Sequence, residues 1–517
     1  MSPTEAVVAG AGPTGLTLAL ELARRGVEVR ILDKSPKPFA GSRGKGLTAR
    51  SQEVMDDLGI VDEIVEAGLR HLPSRVAVRG QVVRDSDPHA DLSPTPDRPY
   101  DSGLMIPQWR TEQILRERLS EFGIDVERGV EVVGFEQTTD KVTVRLAGGG
   151  TVMARYLVGC DGGRSAVRKA LGVSFEGTGG IEAMLLGDVS VDGLVPDRWY
   201  QWTHPEQGFV ALCPFRGINS WQFQGVPFAD FDEEGNLPEP SLEYFQRVLD
   251  DIACGPGVRL SEPTWLSTWH VNVRMVDRFR DGRVFLAGDA AHVHPPAGGL
   301  GMNTGIQDAY NLGWKLALVL AGSADPSLLD TYQEERLPLA RWTLGVSSAG
   351  LQKVAANLGR EDSEGFAGAV TEDGQQLGLG YPWSSLSRDG DATANGLRAG
   401  DRAPDAPCLS PDGTPLRLFD VFRGTHFTVL GFGGGSRHIL QTLAEDAPDD
   451  VKYVVVGDSR GPGVDVVDDR GLARSAYGAH GGTLVVVRPD GYVALTAAAT
   501  AADDVIDYLG RLVGRSS

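Results

Sequence analysis

Ala6-Val7-Val8-Ala9-Gly10-Ala11-Gly12-Pro13-Thr14-Gly15 is the stretch that decides how this chain folds. Ala6 to Ala9 is a short apolar run of the kind that makes a buried strand. Gly10, Gly12 and Gly15 follow as GxGxxG, a turn whose glycines let backbone amides approach a diphosphate and open a helix. Leu16, Ala19, Leu20 and Leu22 then recur at helical spacing and give that helix one inward face. A second strand, Val27 to Leu32, ends at Asp33, twenty-three positions after Gly10. An acid at that distance suits a ribose 2′-hydroxyl in a βαβ dinucleotide fold. The motif predicts a dinucleotide, and by itself does not choose between FAD and NAD.

A second glycine run makes that choice. Arg283-Val284-Phe285-Leu286-Ala287 reads as another buried strand, and Asp289 at its end can accept hydrogen bonds from sugar-type hydroxyls. Pro295 and Pro296 forbid regular structure, so the chain turns there. Gly298, Gly299 and Gly301 leave backbone amides open to a ligand. A helix follows, marked by Ile306, Ala309, Leu312, Leu316 and Val319. Its free amides and positive dipole end suit the negative charge that reduced flavin carries near N1 and O2. A third strand-to-turn element lies between the two, where Tyr156-Leu157-Val158-Gly159-Cys160 runs into Asp161-Gly162-Gly163-Arg164-Ser165.

These three elements, in this order, resemble the class A (single-component) FAD-dependent aromatic hydroxylases, the flavoprotein monooxygenases related to p-hydroxybenzoate hydroxylase. The resemblance covers roughly residues 4 to 345. It implies one FAD, NADPH (or NADH) as electron donor, O2 as co-substrate, and a flavin C4a-hydroperoxide that delivers oxygen to an electron-rich ring. Carried onto this chain, it puts Gly10, Gly12 and Gly15 on the pyrophosphate and Asp33 on the adenosine ribose. Arg43 and Lys45 match a basic pair that meets the FAD phosphates and helps receive NADPH; many relatives carry arginine where Lys45 stands, and lysine lacks the bidentate fork. Gln108 matches a glutamine on the flavin side of the cofactor, and Val132 a position whose backbone touches adenine. Asp289 would hold the ribityl or pyrophosphate region. Gly299, Leu300, Gly301, Met302 and Asn303 would supply backbone contacts to the isoalloxazine ring.

Between Gly172 and Arg283 the chain changes character. Trp199, Trp202, Trp221, Trp265 and Trp269, five of its nine tryptophans, fall there. Ser220-Trp221-Gln222-Phe223-Gln224 alternates, so Trp221 and Phe223 share one face of a strand. With Pro296 they are the substrate-lining candidates, an apolar wall over the flavin. A dry site suits this chemistry, because a flavin peroxide that meets water decays without oxidising substrate. A phenol reacts better as its anion, and with a pKa near ~10 it gains from a base or a positive neighbour; His270 is the candidate for that help. His292 and His294 form an HxH pair with no acid or thiol cluster to complete a metal site, so they read as structural and no metal is expected.

Past Leu344, a stretch rich in Gly, Ser, Asp and Ala reads as a helix and a loose linker. Beyond it, Phe427 to Phe432, Val451 to Gly457, and Gly482 to Ala494 with a Pro-Asp-Gly hairpin resemble a thioredoxin-like fold. No CxxC follows its first central strand, where Gly433-Gly434-Gly435-Ser436 stands, so dithiol exchange is excluded. Larger family members, the polyketide, rifampicin and phenylpropionate hydroxylases, carry such an inert domain. The expected architecture is α/β (α+β). A Rossmann-like FAD domain spans 1–175 and 275–345, and a substrate-binding sheet domain is inserted at 176–274 with a contribution from about 72–105. A helix and linker follow at 346–396, then the thioredoxin-like domain at 397–517.

Composition sets limits on partners. With 517 residues the chain has room for two or three cores, and its net charge of −21 argues against nucleic acid or an anionic membrane. Any basic funnel for NADPH is therefore local, around Arg43, Lys45, Arg164 and Arg168. Cys160, Cys213, Cys254 and Cys408 show no paired spacing, no signal peptide is evident, and no apolar run approaches the ~20 residues of a membrane helix. A cytoplasmic monomer or homodimer is expected, hydroxylating a small aromatic, phenolic or polyketide-like substrate of the kind found in antibiotic biosynthesis. Baeyer-Villiger oxygen insertion, and a FAD-binding dehydrogenase or assembly protein without oxygen insertion, stay open as alternatives.

Overall fold

The computed structural model describes residues 4–513 apart from 71, 88–89, 91, 256, 296, 358–359, 361–372, 391–396 and 446–449. At its centre the Thr4–Ala9 strand lies between Val29–Asp33 and Thr151–Gly159, parallel to both. Val284–Leu286 pairs in parallel on the far side of Thr151–Gly159. Each strand carries an apolar run into its carboxyl end, Ala6–Ala9, Ile31–Leu32, Leu157–Val158 and Val284–Leu286, as buried parallel strands do. Their register brings the strand ends into line. Ala9 stands level with Leu32 and with Gly159, and Gly159 with Leu286. The turns at Gly10, Asp33, Asp161 and Gly288 therefore leave one carboxyl edge side by side, where open α/β sheets bind ligands.

The second sheet, eight-stranded among the described residues, hangs from this core by two long strands, Phe175–Asp192 and Arg259–Val276, which pair antiparallel. Trp221–Pro227, Gly208–Pro214 and Trp199–His204 extend it, Ser74–Val78 with Gln81–Ser86 join from earlier in the chain, and His292–Val293 pairs on the outer side of Arg259–Val276. Its two faces differ in chemistry. One packs on the helix Leu242–Ala253 through Leu185, Val189, Leu212, Trp221 and Phe223, with the Phe223 and Phe245 rings 4.6 Å apart. Alternation turns Asp188, Gln201, Cys213, Gln222 and Gln224 to the other face, where Gln222 and Gln224 meet Lys45 of the first domain. Trp221 and Phe223 do share a face, as their spacing predicts, but it is the face filled by the helix. They are core, and the expected apolar wall over the ligand is replaced by a polar one.

The third sheet centres on Phe427–Phe432, parallel to Val451–Gly457 and antiparallel to Thr483–Val487. One face fills a core of its own with Leu430, Val454 and Val485, and the other joins the first domain. Phe427, Val429, Leu484 and Val486 belong to one continuous apolar cluster with the first domain, and Phe427 meets Trp314 edge-on at 5.6 Å. Beneath that contact lies a knot of buried charge. Glu335 accepts from Lys315 (2.7 Å), from Arg488 (2.6 and 3.0 Å), from Asn311 (2.7 Å) and from Ser384 (2.6 Å). Arg488 also bonds Asp490, whose carbonyl accepts from Arg50 at 2.7 Å. Burial works against the charge of Glu335, but Arg488 and Lys315 outweigh it and hold the carboxyl well below the ordinary range.

Removing the acid leaves Lys315 only the Asn311 amide, with no charged partner among the described residues, and leaves Arg488 with Asp490 alone, in a dry interior. Glu335→Ala is expected to cost about 3–5 kcal/mol of stability, read as a fall in the denaturant midpoint. A loss below about 1 kcal/mol would show that the knot is not what joins the domains.

Candidate active site

The turns at the sheet edge enclose a cleft. A Cβ on Gly10, whose φ is +102°, would stand 2.3 Å from the Cys160 carbonyl oxygen, and one on Gly15 would stand 1.9 Å from that of Gly10. The turn closes only with glycine there. At Gly12 a Cβ would meet nothing within 4 Å, so this position faces open space. Gly12 is also the N-cap of the helix Pro13–Ala23 and offers no side chain to its first-turn amides. Those amides are left for an anion. Asp33 accepts from Ala11 N and Ser35 N, both at 2.8 Å, which fixes the carboxylate and leaves lone pairs for a hydroxyl. The chain that meets it is Gly129 and Val130, whose amides donate to the Ser35 and Asp33 carbonyls at 3.2 and 2.9 Å. Val132 lies two residues further on, with its side chain buried in the sheet core.

The opposite wall is the glycine ledge. Gly299, at φ +64°, caps the helix Leu300–Ala321 without a side-chain bond, and is exposed. The first-turn amides of Leu300, Gly301 and Met302 have no partner within the helix. Asp289 is reached by solvent yet sits deep among protein atoms, as a group on a cleft floor does; desolvation raises its pKa, and His292 and Arg43 partly offset this. Pro296 lies outside the described residues. Asn303 contributes more than backbone. Its Oδ1 accepts from Thr48 N at 2.9 Å, while its Nδ2 donates to Gly46 O at 3.0 Å and Gly299 O at 2.8 Å. One side chain thus ties the glycine ledge to the loop that carries Arg43 and Lys45.

Gln108 holds the same loop from the other side. Its Oε1 accepts from Gly44 N at 3.0 Å, its backbone amide donates to Gly44 O at 3.1 Å, and its Nε2 donates to Glu112 at 2.8 Å. Glu112, which no sequence motif marks, is buried, and burial pushes its pKa up to about 7 despite Gln108. A second brace also escapes sequence reasoning. Asp308, in the helix behind the ledge, accepts from Gly288 N at 3.1 Å and from Arg336 Nε at 2.8 Å, and faces His292 Nε2 at 2.6 Å; His292 in turn meets His294 at 2.8 Å. Burial opposes ionisation of Asp308, but His292 and Arg336 bring its pKa down to about 2. The HxH pair holds the Gly288 turn in place, and no metal-binding cluster occurs among the described residues.

The expected basic funnel is smaller than its four residues. Arg43 and Arg164 are exposed. Arg168 is buried, donates to Gly163 O at 2.7 Å and Ala290 O at 3.0 Å, and stacks on Phe175, so it joins two turns and faces no ligand. Lys45 does not reach toward the phosphate side at all; it turns to the second sheet and bonds Gln222 and Gln224. His270 is exposed and in register with Thr268 and Leu266, on the face turned away from Lys45. Trp265, Ser267 and Trp269 alternate with it, and Trp265 packs on Phe39 and Gly41 at the cleft side.

An open amide-lined turn, a fixed carboxylate beside it and a glycine ledge opposite fit a flavin dinucleotide stretched between them. They define a flavin-binding oxidoreductase. A family model described as FAD binding domain matches residues 3–346, and one described as aromatic-ring hydroxylase, C-terminal, matches 397–516. The chain belongs to the FAD-dependent aromatic-ring hydroxylases, and it is a flavin-dependent monooxygenase using O2 and a reduced nicotinamide. It is 42% identical over 515 residues to a flavin-dependent monooxygenase of Mycobacteroides abscessus, covering 98% of this chain and 99% of that one. With the 12-dehydrotetracycline 5-monooxygenase/anhydrotetracycline 6-monooxygenase of Streptomyces rimosus it shares 33% identity over 98% of each. Aklavinone-11 hydroxylase, solved with FAD and aklavinone, superposes with a TM-score of 0.83 at 29% identity over the whole of both chains.

Asn303→Ala removes two hydrogen bonds from ledge to loop and one within the ledge, at about 0.5–1.5 kcal/mol each. FAD retention is expected to weaken at least ~10-fold, measured by flavin fluorescence released on dilution. Retention equal to the parent protein would show that the side chain braces nothing the flavin needs.

Proposed function

We propose that this enzyme hydroxylates a phenolic or polyketide-like aromatic ring, with NADPH as its electron donor. The observation that carries this reading is the opposition of the glycine ledge to the polar face of the second sheet, joined by the Asn303-tied loop. The ledge is where a flavin ring would lie flat, and the sheet opposite offers Gln201, Gln222 and Gln224, side chains that orient hydroxyls and carbonyls. Bound FAD supplies electron transfer and the activation of O2. The chain's own residues would do the rest: amides of Leu300, Gly301 and Met302 would meet negative charge on the flavin, Asp33 and the Gly12 turn would hold the dinucleotide, and Trp265 with Phe39 would shield the loop from water. Exposed Arg43 and Arg164 are the cations left to receive the nicotinamide cofactor's phosphates.

The relatives named for tetracycline intermediates and aklavinone support a polycyclic substrate. Localisation is read as cytoplasmic, with the protein a monomer or homodimer. All four cysteines are free, which suits a reducing compartment, and no described helix is long and apolar enough to cross a membrane.

The test is direct. Purified FAD-loaded protein should oxidise NADPH faster than NADH, and a polycyclic phenol should accelerate flavin reduction and gain one atom of 18O from 18O2. Flavin reduction indifferent to every phenol offered, with no labelled product, would reject hydroxylation.

A further inference from the structure

A cleft of about 420 Å³ lies at one end of the second sheet, open on one side to solvent and lined by none of the residues placed at the flavin cleft. Sites for small molecules run from about 300 to 1,000 Å³. Leu69, just past the helix Val61–Ala67, forms one side, and Val191 and Leu194 at the end of Phe175–Asp192 form another. Phe215 and Trp221 flank the turn between the strands Gly208–Pro214 and Trp221–Pro227 and make the floor with Val191. Those three are buried, whereas the lining residue Ile218 is 43% exposed and Val195, between the lining residues Leu194 and Pro196, is 63% exposed. Large apolar side chains left in water around a hollow mark a binding surface.

Two polar side chains complete the lining, Arg216 and Asn219, and both are held in place with donors to spare. Asn219 Oδ1 accepts from Val191 N at 3.3 Å and from the Trp221 indole at 3.2 Å, and its backbone carbonyl accepts from Ser190 Oγ at 2.8 Å. With Oδ1 taken, Nδ2 keeps two N–H donors that have no acceptor among the described residues. Arg216 is pinned at one corner, where Nη1 donates to Gly68 O at 3.2 Å and Val65 O at 3.4 Å. Its Nε and Nη2, the edge that pairs side-on with both oxygens of a carboxylate, have no acceptor among the described residues. No acid lines the cleft, although the chain carries a net charge of −21.

We propose that this cleft is a second ligand site, separate from the flavin cleft, that takes an aromatic carboxylate. The ring lies on the apolar floor, the two carboxylate oxygens meet Nε and Nη2 of Arg216, and Asn219 Nδ2 reaches one of them. An apolar floor with a rim of donors and no acid selects for a flat apolar body that ends in an anion, and the forked edge of arginine favours two oxygens over one. Nothing in this site depends on the hydroxylase reading. It nevertheless touches the same strand as the flavin-side wall. Trp221 is on the floor here, and the next residue, Gln222, turns to the opposite face and bonds Lys45, so the ligand would lie behind that wall.

The probe is 2-naphthoate, with 2-naphthalenemethanol as its uncharged control, in equilibrium dialysis against FAD-loaded full-length protein. The parent protein should hold one saturable equivalent of naphthoate without moving the flavin absorbance. Arg216→Met should weaken naphthoate ~10-fold or more and leave the alcohol and the FAD content unchanged. Ile218→Glu sets a like charge at the mouth and should weaken naphthoate as well, which tests the site through a second residue. No saturable binding to the parent, naphthoate held at parent strength by either variant, or equal loss of acid and alcohol in Arg216→Met would each overturn the proposal. So would naphthoate that perturbs the flavin spectrum equally in parent and Arg216→Met, because it would then sit in the flavin cleft. Any of these results leaves the hydroxylase reading standing, since that is decided by NADPH oxidation and 18O incorporation.

Discussion

Parallel register at the centre of the first sheet is the constraint on which everything else depends. Because Ala9, Leu32, Gly159 and Leu286 end level with one another, four turns from distant parts of the sequence emerge at one edge. A slip of two residues in any strand would carry its turn about 7 Å along the sheet and break the cleft. The glycines then act locally: Gly10 and Gly15 close one turn, while Gly12 and Gly299 leave helix amides uncovered. Binding a flavin is thus a property of strand alignment first and of glycine second.

The third domain is not an appendage to that arrangement. Its sheet completes the apolar cluster behind the Leu300–Ala321 helix, and Arg488 and Asp490 enter a buried network whose other members, Glu335, Lys315 and Asn311, lie on the helices behind the flavin ledge. A domain that lacks two thiols has no exchange chemistry to offer. Its contribution is to fix the helix whose first turn forms the ledge. The same logic holds at Asp308, where a single carboxylate positions the Gly288 turn, His292 and Arg336 together.

The second sheet shows how one strand divides labour. In Trp221-Gln222-Phe223-Gln224 the aromatics fill the core against the helix Leu242–Ala253, and the amides between them make the wall of the cleft. Aromatic residues in a region expected to bind aromatic substrate invite the opposite assignment. Packing decides otherwise, because the large rings are needed where a helix must be covered, and the face that meets a loop bearing a cation has to supply oxygen atoms.

Much of the fold and the dinucleotide half of the site was legible from residue order. The βαβ entry, the Asp161 and Gly288 turns and the closing αβ domain follow from apolar runs, glycine spacing and the periodicity of short segments, which are local properties. The side-chain roles were not. The family resemblance implies a phosphate ligand at Lys45, and only the position of Gln222 and Gln224, 177 and 179 residues away, turns it toward the sheet. Arg168, Asn303, Asp308 and Glu335 likewise take their meaning from partners far along the chain. The sequence by itself determined which segments become strands, turns and helices and that their turns suit a flavin. The tertiary structure alone decided which face of each strand meets the cleft and where each charge finds its partner, because those depend on contacts that local spacing does not encode.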